Sequence, residues 1–294
     1  NGQLLCYTNG CLIADADHNI MPNSSGINAG EWLDQTQGGN CNFYLGRHNI
    51  CFLPDPGNEN GYYLLHKSVI PDTTIHFELR YSYVDMQFNN GMGDVTEKNI
   101  VLSDNRRLQG RYLSVNKHAN GKDWWILQSE KLSNKILTFL LNENGINEYV
   151  LQEIDHTFEY FSSSAGTAAF SPDGDRYAYY NAYDNLLLFD FDRSTGALSN
   201  LKTIELVDIS APQNSNSTLE WSPNSQYLYI SVDNVLYQLD TYTSDLEDGL
   251  IMIDVWDGTS DPFATTFALM ALAPDCKIYM CSGSSTNTYH VINK

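Results

Sequence analysis

Positive charge is what this sequence has least of: 16 Lys and Arg stand against 36 Asp and Glu over 294 residues, a formal net charge of −20. That balance repels a phosphate backbone or an anionic lipid surface, so nucleic acid is not an expected partner. No apolar run approaches the roughly 18 residues of a membrane-crossing helix, so direct membrane insertion is not expected either. Nowhere do apolar residues recur at a convincing helical period. The chemical signatures are equally sparse. The chain has no Gly-x-Ser-x-Gly for a serine nucleophile, no phosphate-binding or dinucleotide glycine loop, and no Cys-x-x-Cys pair for zinc or redox chemistry. It opens on Asn1, with no methionine and no basic or apolar targeting segment, and is read as a piece of a longer protein.

What is present is aromatic and strand-forming. Tyrosine, at 19, outnumbers Lys plus Arg, and aromatics make up 12% of the chain, a composition suited to β-strands packed face to face. The stretch from Gly166 to Ser199 lays out a full unit: a strand, a Ser-Pro-Asp-Gly turn, a Tyr-rich strand, a third strand, and an Asp-Arg-Ser-Thr-Gly turn into a fourth. An antiparallel meander of this kind exposes two faces, so it needs copies of itself on either side. Copies with the same strand plan occupy 49–104, 111–154, 166–206, 217–256 and 267–294, with a first, less regular one in 1–45. Spacing of this size predicts an all-β fold: a single β-propeller domain over 1–294 built of four-stranded antiparallel blades, with six repeats visible and six or seven blades in an intact parent.

The turn after the first strand has a physical reason. Proline sets the first central dihedral, Asp or Asn bonds its own backbone, and glycine supplies a positive φ. Ser225 and Cys276 stand where Gly174 stands in the regular copy, which puts the geometry of those two turns in question. The six cysteines suggest two bridges. Cys6 and Cys11 flank the Asn9-Gly10 turn, and with those two residues as the loop, Thr8 faces Cys11 and Cys6 lies diagonally on the same face. Cys41 and Cys51 bracket a short segment that a bridge would close. Cys276 and Cys281 lie too far apart along an extended run to pair with each other.

Several stretches in order resemble the β-propeller region of large secreted and surface proteins of the Bacteroidota, exported by type IX secretion and often described as gliding-motility-associated. They are Gly2 to Gly10, Met21-Pro-Asn23, Tyr81 to Met86 with Gly93 to Asn99, His118-Ala-Asn-Gly-Lys-Asp-Trp-Trp125, Phe170 to Gly174, and Leu272 to Tyr279 with Val291 to Lys294. The resemblance covers essentially the whole chain. It implies an extracellular or cell-surface location, further strands on both sides, and a rigid, non-catalytic interaction or adhesion module with a protein or glycan ligand. Two alternatives stand beside it. One is a propeller enzyme, lactonase-like or glycan-cleaving, with acids at a central channel. The other is a structural tile whose partners are neighbouring copies in a surface assembly.

Individual residues give less. His118 with Asp123, Trp124 and Trp125 reads either as a base with an aromatic sugar platform or as a braced hairpin with tryptophans filling inter-blade space, and the second is preferred. Asp15, Asp17 and Asn19 begin a calcium-loop spacing, but Ile20 and Gly26 occupy the positions that need Gly and Glu. Calcium is therefore the one cofactor to consider; no other is expected. Glu31, Trp32 and Leu33 lie on a long loop, as a contact patch or as a lid on the first blade. Thr73, after Asp72, resembles an O-glycosylation site of that phylum on an accessible turn.

Overall fold

The strand-forming runs pair as short antiparallel meanders because the turns between them are mostly too short for anything but hairpins. The computed structural model describes residues 2–37, 49–70, 76–103, 106–109, 112–158, 167–181, 184–206, 218–232 and 234–293. In it β1 (Cys6–Thr8) and β2 (Ile13–Asp15) form a two-stranded sheet, followed by α1 (Glu31–Gln37). The next sheet runs β3 (Ile50–Pro54), β4 (Gly61–Ile70), β5 (His76–Asp85), β6 (Asp94–Val101), in that spatial order. The third contains β7 (Ser114–Lys117), β8 (Trp124–Ser129), β9 (Lys135–Asn142), β10 (Gly145–Ile146) and β11 (Val150–Glu153). Because β10 and β11 pair with successive halves of β9, they are one outer strand interrupted at 147–149.

Two further sheets are four-stranded meanders. They are β12 (Thr167–Phe170), β13 (Arg176–Asn181), β14 (Asn185–Asp192), β15 (Ala197–Ile204), and then β16 (Thr218–Trp221), β17 (Tyr227–Val232), β18 (Val235–Asp240), β19 (Leu250–Val255), with the one-turn α2 (Leu246–Gly249) before β19. The last sheet is three-stranded: β20 (Met270–Leu272), β21 (Ile278–Met280), β22 (His290–Ile292). The chain divides into two compact units, Asn1–Leu113 with Lys117–Glu153, and Ser114–Asn116 with Ile154–Lys294.

Period-2 alternation explains how the blades stack in the second unit. Leu228 and Ile230 of β17 face a core shared with Ala178, Tyr180, Leu186 and Leu188 of the preceding sheet. Tyr229, between them, faces Phe267, Met270, Ile278 and Met280 of the following one. One sheet thus buries each face against a different neighbour, which is the packing of β-propeller blades. Trp221 has no exposed surface, and its indole donates to Ala169 O at 3.1 Å across inner strands.

Among the described residues five sheets are of blade type, and a sixth is not confirmed. Among the described residues the first predicted copy yields only the β1–β2 sheet. Its apolar residues Ile13, Met21 and Ile27 pack on Leu64, Val84 and Val95 of the next blade rather than forming a blade of their own. The expected bridges change as well. β1 and β2 pair Thr8 with Ile13 and Cys6 with Asp15, so the loop is Asn9 to Leu12 and not the two residues Asn9-Gly10. Asn9 Oδ1 accepts from the backbone N–H of Cys11 (3.0 Å) and Leu12 (3.2 Å), which widens the turn and takes Cys11 off the ladder. Cys6 and Cys51 are free thiols, pushed up to about 11 by burial. Cys11 is disulfide-bonded, but neither Cys6–Cys11 nor Cys41–Cys51 forms; Cys41 itself lies outside the described residues.

The segment of Glu31, Trp32 and Leu33 is helical instead of a loop: Gly30 O accepts from Leu33 N (3.0 Å) and Asp34 N (3.1 Å). Seven residues are too few to show a period in the sequence. Leu33 is buried. Thr73 falls outside the described residues.

Candidate functional site

The turns that join first to second strands decide what the first unit presents. In its first blade that turn is Asp55 to Asn60, and Asp55 organises it. One carboxylate oxygen accepts from Gly57 N at 2.7 Å and the other from the Tyr83 hydroxyl at 2.6 Å. In the next sheet the turn is His118 to Asp123. A Cβ at Gly57 would lie 2.5 Å from the Glu143 carbonyl oxygen, so only glycine lets these backbones approach. Between the two turns lies a cleft of about 540 Å³, walled by Pro54 to Gly57 and Glu59 on one side and by Lys117, Gly121 and Lys122 on the other.

Behind Asp55 stand three tyrosines. Tyr63 packs edge-on against Tyr81 (5.3 Å) and Tyr83 (4.9 Å), and the Tyr81 hydroxyl donates to Glu97 at 2.7 Å. Burial, then the charges of Asp55 and Glu97, push the Tyr63 phenol up to about 12. Burial and the hydrogen bonds to Glu97 and Asp55 raise Tyr81 and Tyr83 as well. All three phenols therefore stay protonated, and Tyr81 and Tyr83 are donors locked to carboxylates. On the facing wall the Lys117 ammonium sits 3.7 Å above the Trp124 ring, and Lys122 lies 3.5 Å from Glu143. The cleft thus sets ammonium donors opposite carboxylate acceptors, with no nucleophile and base in contact.

The His118 group builds the turn that carries Gly121 and Lys122, and its own side chains do not line the cleft. His118 Nδ1 accepts from Asn120 N (3.0 Å) and Asn120 Nδ2 donates to Asp123 Oδ2 (2.8 Å). Their side chains are linked through Asn120, and their backbones meet directly, His118 N donating to Asp123 O at 2.9 Å. Trp125 is buried beside the His118 ring at 5.4 Å, whereas Trp124 is half-buried. Asp15, in the calcium-like spacing, is buried and accepts from Asp17 N and Asn19 N, each at 2.9 Å, the pattern of a turn that closes on itself. Among the described residues no group of three or more His, Cys, Asp or Glu could hold a metal ion.

Two further titratable groups, both in the second unit, were not singled out from sequence. His156 Nε2 lies 3.1 Å from Asp184, whose other oxygen accepts from the Tyr179 hydroxyl (2.8 Å) and Asn181 Nδ2 (2.9 Å). Asp184, Tyr179 and Asn181 are all buried, and Phe158 packs edge-on between the His156 and Tyr179 rings. These residues come from a loop, a strand and the following turn, so no short spacing announces them. Glu220, on inner strand β16, accepts from Trp221 N (2.8 Å) and from Leu272 N of β20 (3.2 Å). Burial raises its pKa against these two bonds. Its sequence signal is only a charge inside an apolar strand.

No protein-family model matches the chain, and no curated protein matches it. Among solved structures it is similar to a Bacteroides uniformis protein provisionally assigned as a 6-phosphogluconolactonase, at 14% identity and TM-score 0.47 over 82% of this chain and 76% of that one. It is also similar to a Lactobacillus plantarum protein, at 14% identity and TM-score 0.47 over 84% and 78%. A third is a Xanthomonas campestris gluconolactonase, at 12% identity and TM-score 0.44 over 95% and 78%. At such identities and TM-scores the alignments transfer neither residues nor activity.

Proposed function

We propose that this protein is a β-propeller interaction module of the cell exterior or cell surface, and that it holds a glycan or protein ligand without converting it. The observation that carries this reading is the cleft between the Asp55 and His118 turns. A sugar hydroxyl both donates and accepts, and the cleft offers ammonium donors from Lys117 and Lys122 opposite carboxylate acceptors from Asp55 and Glu59. Its shape is set by the Gly57–Glu143 approach and by tyrosines tied to acids, so little ordering is left to be done on binding. Affinity electrophoresis against a neutral β-glucan and a uronate polymer tests it. The Glu59→Ala/Lys122→Ala double variant changes two exposed side chains and is expected to weaken binding about tenfold or more. Retardation unchanged in that variant, or no retardation by either polymer, overturns the glycan reading.

A second reading, a propeller enzyme, is favoured by one observation: the His156 imidazole is turned onto a buried carboxylate, the arrangement that holds a general base in one tautomer. The activity named for the gluconolactonase supplies the assay substrate. Hydrolysis of glucono-δ-lactone above the uncatalysed rate, abolished in His156→Ala with folding intact, would replace the binding-module reading.

A further inference from the structure

The outer strands of the blades differ in how they meet solvent. β6 carries Asp94, Glu97 and Lys98 among its residues, and β15 reads Ala-Leu-Ser-Asn-Leu-Lys-Thr-Ile, mostly polar where exposed. Charges, and lysine above all, are what natural sheets place on an edge to stop another strand from adding to it. β19 reads Leu-Ile-Met-Ile-Asp-Val, with no Lys, Arg or Pro. Ile251 is 50% exposed, Met252 61%, Ile253 39% and Val255 48%, so apolar side chains stand open on both faces of this strand. Among the described residues β19 pairs only with β18, which leaves its other side as an edge. Its blunting devices are Asp254 near one end and a register shift opposite Leu236 and Tyr237, which falls between Met252 and Asp254.

We infer that β19 is a self-association edge, and that its occupant is β19 of a second copy of this chain, added antiparallel about a two-fold axis at Met252. The strand is complementary to itself in that register: Ile251 meets Ile253 of the copy, Met252 meets Met252, and Asp254 meets Leu250. The two carboxylates then sit four residues apart, on the order of 13 Å. A parallel pairing would stack Asp254 on Asp254 at about 4.8 Å and is disfavoured. A contact of one strand buries less than the roughly 1,200 Å² of a stable interface, so the dimer is weak and concentration-dependent. Each chain carries a net charge of −20, so the copies repel at low ionic strength and the apolar contact strengthens as salt screens them. That salt response is opposite in sign to the one a basic partner would show.

Sedimentation velocity of the whole chain from about 10 μM to 1 mM, at 20 and 300 mM NaCl, with reductant to exclude thiol cross-links, tests the inference. The expected result is a monomer–dimer equilibrium that tightens with salt and is reversed by a synthetic Leu250–Val255 peptide. Met252→Lys sets two ammonium groups face to face at an exposed position and is expected to weaken dimerisation at least tenfold, with the melting temperature unchanged. Ile251→Thr keeps the strand propensity but removes apolar surface, and is expected to weaken it less. A monomer at every concentration and salt overturns the proposal. So does a dimer that Met252→Lys leaves intact, or one that salt dissociates.

Discussion

The two units secure their blades by different means. In the first, adjacent residues of β4 carry the work. His66 and Lys67 have no exposed surface and point to opposite faces of the sheet. His66 Nδ1 meets Asn28 Oδ1 at 2.7 Å and Nε2 meets the Ser82 hydroxyl at 3.0 Å, while Asn28 Nδ2 donates to Gly10 O. This chain of bonds ties the N-terminal hairpin to the first blade. On the other face Lys67 donates to the carbonyls of Gln109 (2.8 Å) and Tyr112 (3.1 Å) and lies over the Phe77 and Tyr112 rings. In the second unit three blades share one turn instead. Gly174 N–Ser171 O, Ser225 N–Ser222 O and Cys276 N–Ala273 O form it at 2.8, 2.9 and 3.0 Å, the last hairpin then closing one residue earlier, at Lys277, and Gly174, Ser225 and Cys276 take φ of 81°, 62° and 63°. Where the turn motif is present, the backbone repeats and the side chains vary. Where it is missing, buried polar groups unique to their position provide the bracing.

Acid should break the comparison most sharply. Burial first, then Arg80, push the His66 pKa down to about 3, and both ring nitrogens are satisfied in the neutral form. The unfolded chain takes up that proton near 6.5. The stability is therefore complete above pH 6.5 and is lost as pH falls toward 3, at up to about 1.4 kcal/mol per pH unit from this group. Urea unfolding at pH 6.5, 5.5 and 4.5 should show a slope smaller by about that amount in His66→Gln, since the carboxylates act alike in both proteins. Equal slopes would remove His66 as the source.

The next effect belongs to the shared turn. A Cβ at Gly174 would lie 2.8 Å from Asn116 Oδ1 and 3.0 Å from Arg193 Cδ, and Asn116 Nδ2 donates to Gly174 O at 2.8 Å. Gly174→Ala should cost about 3 kcal/mol, as left-handed backbone strain plus a displaced hydrogen bond. A loss in urea unfolding below about 1 kcal/mol would show that the turn yields.

The repeated part of the fold was legible because hairpin turns and period-2 strands are local. The apolar run Lys135 to Asn142 is β9, and the four strands of the first full blade fall where their apolar runs fall. The first hairpin departs from expectation because an Asn-Gly pair signals a tight turn, and nothing in Asn9-Gly10 tells that Asn9 Oδ1 will instead cap Cys11 and Leu12. The site was less legible. Lys117, Lys122, Asp55 and Glu59 are ordinary surface residues in sequence, and only the approach of Gly57 to Glu143 makes them two walls. Asp184 and His156 are 28 residues apart, and their meeting depends on the blade between them.

Ser225 and Cys276 complete the comparison, because they hold the same backbone as Gly174 at different cost. Ser225 is buried, and its hydroxyl accepts from Asp173 N at 3.0 Å in the neighbouring blade's turn. Ser225→Ala strands that N–H and should cost about 1 to 2 kcal/mol. Ser225→Gly loses the same bond but gains relief of the left-handed strain, so the two effects should nearly cancel. Cys276 is exposed and free, and among the described residues its side chain makes no bond that would offset a positive φ. Cys276→Gly should therefore stabilise the fold by about 0.5 to 1 kcal/mol, the strain relieved being partly returned as greater freedom of the unfolded chain. A Cys276→Gly variant that unfolds at lower urea than the parent would mean that the fifth blade needs this side chain after all. The rule drawn from the three turns, that neighbours and not the repeat choose the residue, would then have missed a contact there.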